Sequence, residues 1–357
     1  MKKLAATAVI LSTFLVASFV HADDASSKRS STTTVAVFGD WPYSAELFDK
    51  APMLISSINS DPDVSLIIHL GDIHSGSMPC TSAGVSPLLP GSDPDWNRRI
   101  FNIFAQFSDP LIYTPGDNEW TDCHKSKQKS SGYPLRELEA VRNLFFPKAG
   151  RTIGGQEKKV SSQARDYDRR YRADSQFVEN AMLSENKLLF VTLNVPGSNN
   201  DLKPWTGIFA DPAAQEKERI ERTDADMRWL AYAFRKAKRD GARAVVIALQ
   251  ADMWDPEAAA PGGDGLDGYA GLVKQIAKET LAFGKPVLLL NGDSHVFGTD
   301  RPLADPNSTT GKIHGTPAVP NLTRVTVQGS TNKPYEWLRL TIAPSASEVF
   351  RFDNTAY

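Results

Sequence analysis

Four short apolar runs of this chain end in the same pair of residues, a glycine followed by an aspartate. The runs are rich in Val, Ile and Leu, as strands covered on both faces are. Helical patterns separate the runs, and this alternation indicates an α/β layered fold. Ligands of such folds bind outside the carboxyl ends of the strands, so the acids are expected at one common rim. The four aspartates are Asp40, Asp72, Asp117 and Asp293.

The chain has 357 residues, of which 41% are hydrophobic, and this is ample for a large core. We find no internal repeat, and residues 33–357 are predicted to form a single domain. Residues 125–172 are basic and polar, which predicts either an insertion that acts as a lid or a solvated surface loop. The formal net charge of −2 gives no indication of nucleic acid as a partner.

The first residues have the layout of a secretory signal peptide, with two lysines, an apolar run and small residues at the exit. We predict a signal peptide over residues 1–22 and a flexible leader over residues 23–32. The alternative is a retained membrane anchor, because the apolar run is long for a signal core. Cleavage would give a periplasmic or secreted protein without a stable membrane anchor.

The chain has two cysteines, Cys80 and Cys123. An even pair in an exported chain allows one disulfide, which would join two loops that follow Gly-Asp pairs. The alternative is two unrelated buried thiols.

Carboxylates that converge in a partly desolvated cleft repel one another unless a cation neutralises them. A glycine before each acid permits a tight turn or a close approach of backbone. The repeated Gly-Asp endings therefore predict a metal site.

The motifs GDWPYS, GDIHSG, GDNEW, ALQADMW and GDSHVF follow one another in this order along the chain. The ordered set resembles the calcineurin-like metallophosphoesterases. The resemblance implies the calcineurin-like metallo-dependent phosphatase fold, an α/β fold of two packed mixed β-sheets flanked by helices. It also implies two divalent metal ions and hydrolysis of a phosphate mono- or diester by metal-activated water.

Carried over residue by residue, the resemblance gives Asp40 and His295 to the first metal and makes Asp72 the bridging ligand. Other positions depart from the family pattern, because Pro42 stands where many members have a ligand histidine and Ser75 where a purple iron centre needs a tyrosine. The full set of predicted metal ligands is Asp40, Asp72, His74, Asp117, Gln250, Asp252, Asp293 and His295.

Three of these ligands replace a different residue of the family. Asp117 takes the place of the ligand asparagine, and Asp293 that of the first histidine of the last motif. Gln250 takes the place of the fourth-motif histidine, with Asp252 close enough to serve instead. More oxygen and less nitrogen in the ligand set favours Mg²⁺ or Mn²⁺, with Ca²⁺, Zn²⁺ and iron as other candidates.

The family's proton donor to the leaving group is a histidine, and Asn118 stands at that position. We predict His124, on the same loop, as the substitute acid and Glu119 as a residue that orients groups of the site from behind. The alternative for His124 is an ordinary surface histidine.

The sequence therefore predicts an exported metal-dependent phosphoesterase that acts on a small-molecule or cell-envelope phosphoester. Two alternatives remain open at this point. The first is a catalytically degenerate binding scaffold, and the second is a hydrolase of a non-phosphate envelope substrate. The oligomeric state is not indicated.

Overall fold

The protein is described by a computed structural model that covers residue 1, residues 32–81, residue 89 and residues 91–357. The predicted signal peptide, and all but the last residue of the predicted leader, lie outside these described residues, apart from Met1. Within the part of the chain that is described, no helix has the length and apolar character needed to span a membrane.

The described residues form two β-sheets. One has five strands in the order β12-β11-β1-β2-β3, and the other has seven in the order β4-β5-β6-β7-β8-β10-β9. The strands are β1 (Thr33–Phe38), β2 (Val64–His69), β3 (Leu111–Tyr113), β4 (Ser161–Ser162), β5 (Ala181–Glu185), β6 (Leu188–Thr192), β7 (Ala244–Ala248), β8 (Val287–Asn291), β9 (Gly298–Asp300), β10 (Leu322–Thr326), β11 (Glu336–Ile342) and β12 (Phe350–Ala356).

Both sheets are mixed, and each has a parallel centre. Strands β1, β2 and β3 are parallel, whereas β11 pairs with β1 in the antiparallel sense. Strands β6, β7, β8 and β10 are also parallel to one another, whereas β5 and β9 pair with β6 and β10 in the antiparallel sense. The predicted fold of two packed mixed sheets is confirmed, and the parallel centres place the ends of several strands at the same edge.

Helices cover the outer faces of the two sheets. The α-helices are Ala45–Asp49, Ala51–Asn59, Trp96–Phe104, Pro134–Phe145, Gln163–Asp166, Pro212–Arg239, Pro256–Ala259, Ala270–Phe283 and Thr309–His314. Short 3₁₀ turns lie at Thr121–His124, Ser126–Gln128, Arg172–Gln176, Gly207–Phe209 and Asp267–Tyr269.

The central hydrophobic layer lies between the two sheets. It includes Val35 and Leu66 of the five-stranded sheet and Phe190, Val246 and Leu288 of the seven-stranded sheet, all of them buried. Alternate side chains of the same strands point outward into two further layers, as the two-residue period of a strand requires. The runs read as continuously apolar because both of their faces are covered.

Each outer layer packs one sheet against its helices. In one, Ala36 and Ile67 meet Val141 and Phe145 of the helix Pro134–Phe145. Part of the segment that the sequence marks as an insertion, residues 125–172, therefore belongs to the core. The other outer layer packs the seven-stranded sheet against the helices Pro212–Arg239 and Ala270–Phe283.

The apolar periodicity of the sequence predicts a helix from about Thr223 to Asp240, whereas the structure has a helix at Pro212–Arg239, the longest among the described residues. Proline occupies its first turn, and the Asp211 carboxylate accepts a hydrogen bond from the amide of Ala214 at 3.1 Å. Both are strong start signals. The charged first half of the helix has no clear apolar face, so periodicity alone missed it.

Cys80 and Cys123 form a disulfide, with their Cα atoms 5.7 Å apart. The sequence left open whether these cysteines pair, and the structure shows that they do. The bond joins the loop after β2 to the loop after β3 and closes a loop with a sequence separation of 43.

Replacing both cysteines by serine is expected to lower the free energy of unfolding by about 2–4 kcal/mol, because the unfolded chain loses a cross-link. The thermal midpoint of the double variant, compared with the oxidised protein and with the protein after reduction, measures this. The double variant and the reduced protein should melt at similar temperatures, both below that of the oxidised protein. An unchanged midpoint in both would show that the bond carries no stability.

Candidate metal centre

Three acids that follow strands sit in left-handed backbone conformations. The φ angles are +49° for Asp40, +58° for Asp72 and +73° for Asp293, and His295 has +62°. Such angles cost non-glycine residues about 1–3 kcal/mol each and cluster at functional sites. The loops after β1, β2 and β8 thus turn sharply at the residues that carry the carboxylates.

The hydroxyl of Tyr43 lies at the point where several of these side chains meet. It donates to Asp72 Oδ2 at 2.9 Å, and it lies 3.4 Å from both Asp40 Oδ1 and His295 Nε2. Asn118 Nδ2 donates to the same hydroxyl at 3.0 Å. The loops after β1, β2, β3 and β8 therefore contribute to one cluster.

Asp72 is held from the neighbouring loop by Asn118. The amide nitrogen of Asn118 donates to Asp72 Oδ1 at 3.2 Å, and its side-chain Nδ2 donates to Oδ2 at 2.7 Å. The two loops touch so closely that a Cβ on Gly116 would clash with Asp72 Oδ1. Glycine is required there by this close approach, as the Gly-Asp pattern suggested.

Glu119 fixes the same pair of loops from behind. Its Oε1 accepts from Tyr113 Oη at 2.6 Å, from the amide of Gly116 at 2.7 Å and from the amide of Asp72 at 3.2 Å. Glu119 is fully buried, and burial raises the pKa of its carboxyl. It holds Asp72 and the Gly116 loop in place.

The second half of the cluster is built around Gln250. Its Nε2 donates to Asp293 Oδ1 at 3.1 Å and to Asp117 Oδ1 at 3.3 Å. Its Oε1 accepts a hydrogen bond from the amide of Gly197 at 2.6 Å. A Cβ on Gly197 would lie 2.5 Å from Asp117 Oδ2, so this turn also approaches the acids closely.

Asp252 lies at the edge of the cluster, with its carboxylate already engaged. It forms an ion pair with Arg324 and accepts from Ser294 Oγ at 2.7 Å. Only its backbone amide contacts the acids, donating to Asp293 Oδ2 at 3.1 Å. Because Arg324 neutralises the carboxylate, Asp252 is poorly placed to replace a ligand histidine.

The two loop histidines proposed from the sequence lie elsewhere. His74 is buried with Nδ1 3.2 Å from the carbonyl oxygen of Ser75, and burial lowers its pKa to about 4. His124 accepts at Nδ1 from the amide of Thr206 at 3.0 Å, and burial lowers its pKa. Neither residue lines the cleft that the acids form. The disulfide and the turn Thr121–His124 direct the His124 ring toward Thr206.

The carboxylates strongly perturb one another. Burial, followed by repulsion from Asp117, raises the pKa values of Asp72 and Asp293 well above the usual range. Burial and the charge of Asp122 raise the pKa of Asp117 to about 7. The arrangement is costly for the anionic forms, and a bound cation would remove that cost.

Among the described residues, no three His, Cys, Asp or Glu side chains are grouped so as to hold a metal ion. Tyr43 supplies the further donor. The donors Asp40 Oδ1 and His295 Nε2 are 3.3 Å apart, and Tyr43 Oη lies 2.9–3.4 Å from Asp40, Asp72 and His295. Adjacent ligands around an octahedral cation with bonds of about 2.1–2.4 Å are separated by about 3.0–3.4 Å. The separations around Tyr43 Oη, and that between Asp40 and His295, therefore match the spacing of ligands about one hard divalent cation.

The segment Gly197–Asp201 forms a left-handed turn beside the acids. The φ angles of Ser198, Asn199, Asn200 and Asp201 lie between +52° and +61°. Ser198 Oγ contacts Asp117 Oδ2 at 3.3 Å and Asp122 Oδ1 at 2.7 Å. Consecutive left-handed residues are rare outside glycine, so neighbouring structure must hold this turn in place.

A basic edge borders the same cleft. Lys125 Nζ donates to Ser198 Oγ at 2.6 Å and pairs with Asp122 Oδ2 at 2.7 Å. Lys127 also lines the cleft. The cleft, with a volume of about 340 Å³, thus combines a carboxylate cluster with two ammonium groups.

Sequence reasoning missed Tyr43. It sought a tyrosine ligand at the position of Ser75, in the second motif, whereas Tyr43 comes from the first motif, three residues after Asp40. The signal was present in GDWPYS, but only the folded loop shows that the hydroxyl turns back onto Asp72.

The layered sheets and the acid cleft at their strand ends define a phosphoesterase-type hydrolase fold. Residues 33–297 match the family of calcineurin-like phosphoesterases, and the chain belongs to that family. Members of this family typically bind two divalent metal ions. A comparison with curated proteins found no match.

Among solved structures, the chain is similar to one described as "GAP50 the anchor in the inner membrane complex of Plasmodium". The TM-score is 0.43 and the sequence identity 9%, over 91% of this chain and 89% of that chain.

Proposed function

We propose that this protein is an exported, metal-dependent phosphoesterase that hydrolyses a phosphate mono- or diester of a small molecule or of the cell envelope. The observation that carries the proposal is the convergence of Asp40, Asp72 and His295 on the hydroxyl of Tyr43. The family membership supports the reaction class. The proposed location is the periplasm or the exterior of the cell, on the strength of the first 22 residues.

Three oxygen donors and one imidazole favour a hard cation, and Mg²⁺ or Mn²⁺ is proposed. A divalent cation bound there would acidify water and polarise a phosphoryl oxygen. Asn118 and Glu119 hold Asp72 in place through its side chain and its backbone amide, respectively. We assign both as positioning residues.

The lysines at the cleft edge support an anionic substrate. The chain as a whole has a net charge of −2, so an anionic substrate has to be attracted by positive charges at the cleft itself. Lys125 and Lys127 supply it beside the acids. His124 lies outside this cleft, and His295 is assigned to the cation. Because no further histidine of the described residues lines the cleft, esters with good leaving groups should be cleaved fastest.

Removal and return of metal is expected to switch hydrolysis off and on. Chelator-stripped protein without its first 22 residues should lose about 100-fold or more of its turnover on an activated aryl phosphate or its diester. Separate reloading with Mg²⁺, Mn²⁺, Ca²⁺ and Zn²⁺ should restore turnover best with Mg²⁺ or Mn²⁺. Turnover that persists in full after stripping would contradict the metal-dependent proposal.

One observation favours a second candidate, a binding scaffold without turnover. The amide of Gln250 donates to two of the acids, where the family places a ligand histidine. A scaffold would bind metal or phosphate in the same assay but would hydrolyse neither ester with any of the four ions. Hydrolysis of an envelope substrate without phosphate would instead appear as activity on that material only.

A further inference from the structure

The orientation of the Gln250 side chain is fixed by a backbone group. The amide N–H of Gly197 is a donor and lies 2.6 Å from Oε1, so that atom must be the acceptor. Rotating the amide by half a turn would bring an NH₂ group against another N–H. The NH₂ group of Gln250 therefore faces Asp293 and Asp117, at 3.1 and 3.3 Å.

An NH₂ group cannot coordinate a cation, because both of its hydrogens are donors and it has no free lone pair. It also occupies the space between the carboxylates of Asp117 and Asp293, where a second ion would need a ligand. Gln250 is fully buried and its two ends are both engaged, so it has no room to turn away. The second metal position of the family is closed by this amide.

Lys125 brings a positive charge to the edge of that closed position. Its ammonium pairs with Asp122 Oδ2 at 2.7 Å and donates to Ser198 Oγ at 2.6 Å, and Ser198 Oγ in turn lies 3.3 Å from Asp117 Oδ2. An ammonium has three donors, and these two contacts use two of them. The third is left for a ligand in the cleft that Lys125 lines.

We propose that this protein binds one divalent cation per chain, at Asp40, Tyr43, Asp72 and His295, and that Lys125 takes over the contact to a phosphoryl oxygen that a second cation would make. The inference rests on the proposed metal-dependent function. The ligand class is a tetrahedral phosphate oxyanion, held between the cation and the ammonium group. Ser198 and Asp122 act as positioning residues that hold the ammonium toward the cleft.

Metal stoichiometry tests the proposal that each chain binds one divalent cation. Elemental analysis and Mn²⁺ titration calorimetry on the full chain without its first 22 residues should give one ion per chain. Gln250→Glu keeps the shape of the side chain but presents a carboxylate oxygen to Asp117 and Asp293, and it should raise the stoichiometry to two. Gln250→His, which restores the family residue, is the second variant. Two ions in the unsubstituted protein would overturn the inference, as would one ion in both variants.

Phosphate affinity tests the proposed contact of Lys125 with a phosphoryl oxygen, and inorganic phosphate is the probe. In the Mn²⁺-loaded protein, Lys125→Met should weaken phosphate binding about 10-fold or more while the Mn²⁺ stoichiometry and affinity stay unchanged. Lys148→Met, at an exposed lysine that does not line the cleft, is the matched control and should bind phosphate normally. Unchanged phosphate binding in Lys125→Met would overturn the assignment of Lys125.

The results also separate this inference from the proposed function. One bound ion and Lys125-dependent phosphate binding, together with no ester hydrolysis, would support the inference and contradict the phosphoesterase. No bound ion under any condition would overturn both.

Discussion

Replacing Asp72 by asparagine is expected to abolish metal-dependent turnover while the fold is retained. Asparagine has nearly the same shape and tolerates the left-handed backbone, where φ is +58°. The variant loses one charged ligand of the cation, and a lost ligand should weaken metal affinity by more than the roughly 10–100-fold cost of a lost outer contact. Mn²⁺ titration calorimetry and hydrolysis of an aryl phosphate, measured in parallel, check this.

The metal-free variant should be at least as stable as the metal-free parent protein. Burial raises the pKa of Asp72, so its contribution to stability is largest below the pKa of the unfolded chain and is lost as pH rises. Asparagine carries no such cost. The thermal midpoint of the Asp72→Asn variant should therefore exceed that of the parent protein by more at pH 8 than at pH 5. Asp49→Asn, at an exposed acid, is the control.

Added metal should reverse this order, so that the parent protein becomes more stable than the Asp72→Asn variant. At a concentration of 100 times its Kd, bound metal stabilises the parent protein by about 2.7 kcal/mol, and the variant should gain much less. Full turnover in Asp72→Asn, or an equal metal-induced shift of the thermal midpoint, would show that Asp72 is not a ligand.

Replacing Arg222 by methionine is expected to lower the free energy of unfolding by about 3–5 kcal/mol, a large share of the stability of a domain. Arg222 is fully buried. Its guanidinium donates to Asn200 Oδ1 at 2.5 Å, to the carbonyl oxygens of Asn200 and Asn194 at 3.3 and 3.2 Å, and to Glu218 at 2.8 Å. Removing it leaves buried acceptors without donors.

Chemical denaturation of Arg222→Met and of the parent protein measures this effect. Arg235→Met changes an exposed arginine of the same helix and should stay within about 0.5 kcal/mol of the parent. A loss below about 1 kcal/mol for Arg222→Met would mean that the left-handed turn is held by other contacts. Because Ser198 belongs to that turn and accepts a hydrogen bond from the Lys125 ammonium, phosphate affinity should fall together with stability.

The sequence predicted the elements whose signals are local. Apolar runs gave the central strands, and the Gly-Asp endings predicted the acids because parallel strands end at the same edge of a sheet. Export remains a prediction, and so do the roles assigned to the site residues. The pairing of the cysteines, left open by spacing alone, was decided by the fold.

The features that the sequence did not reveal depend on contacts between distant parts of the chain. The hydroxyl of Tyr43 reaches Asp72, which is 29 positions away, and the amide of Gly197 orients Gln250 across 53 positions. His124 is the converse case. It is close in sequence to Asn118, yet the folded loop turns its ring toward Thr206.

The left-handed turn at residues 198–201 also bears on how relatives of this protein can diverge. Branched or bulky side chains are strained in four consecutive left-handed positions, so substitution there is restricted to glycine and short polar residues. Asparagine and aspartate at three of these four positions satisfy that restriction without any chemical role. In an alignment of close relatives, invariance of this segment would record the geometry of its backbone, whereas variation at Lys125 or Gln250 would record a change in what the cleft binds.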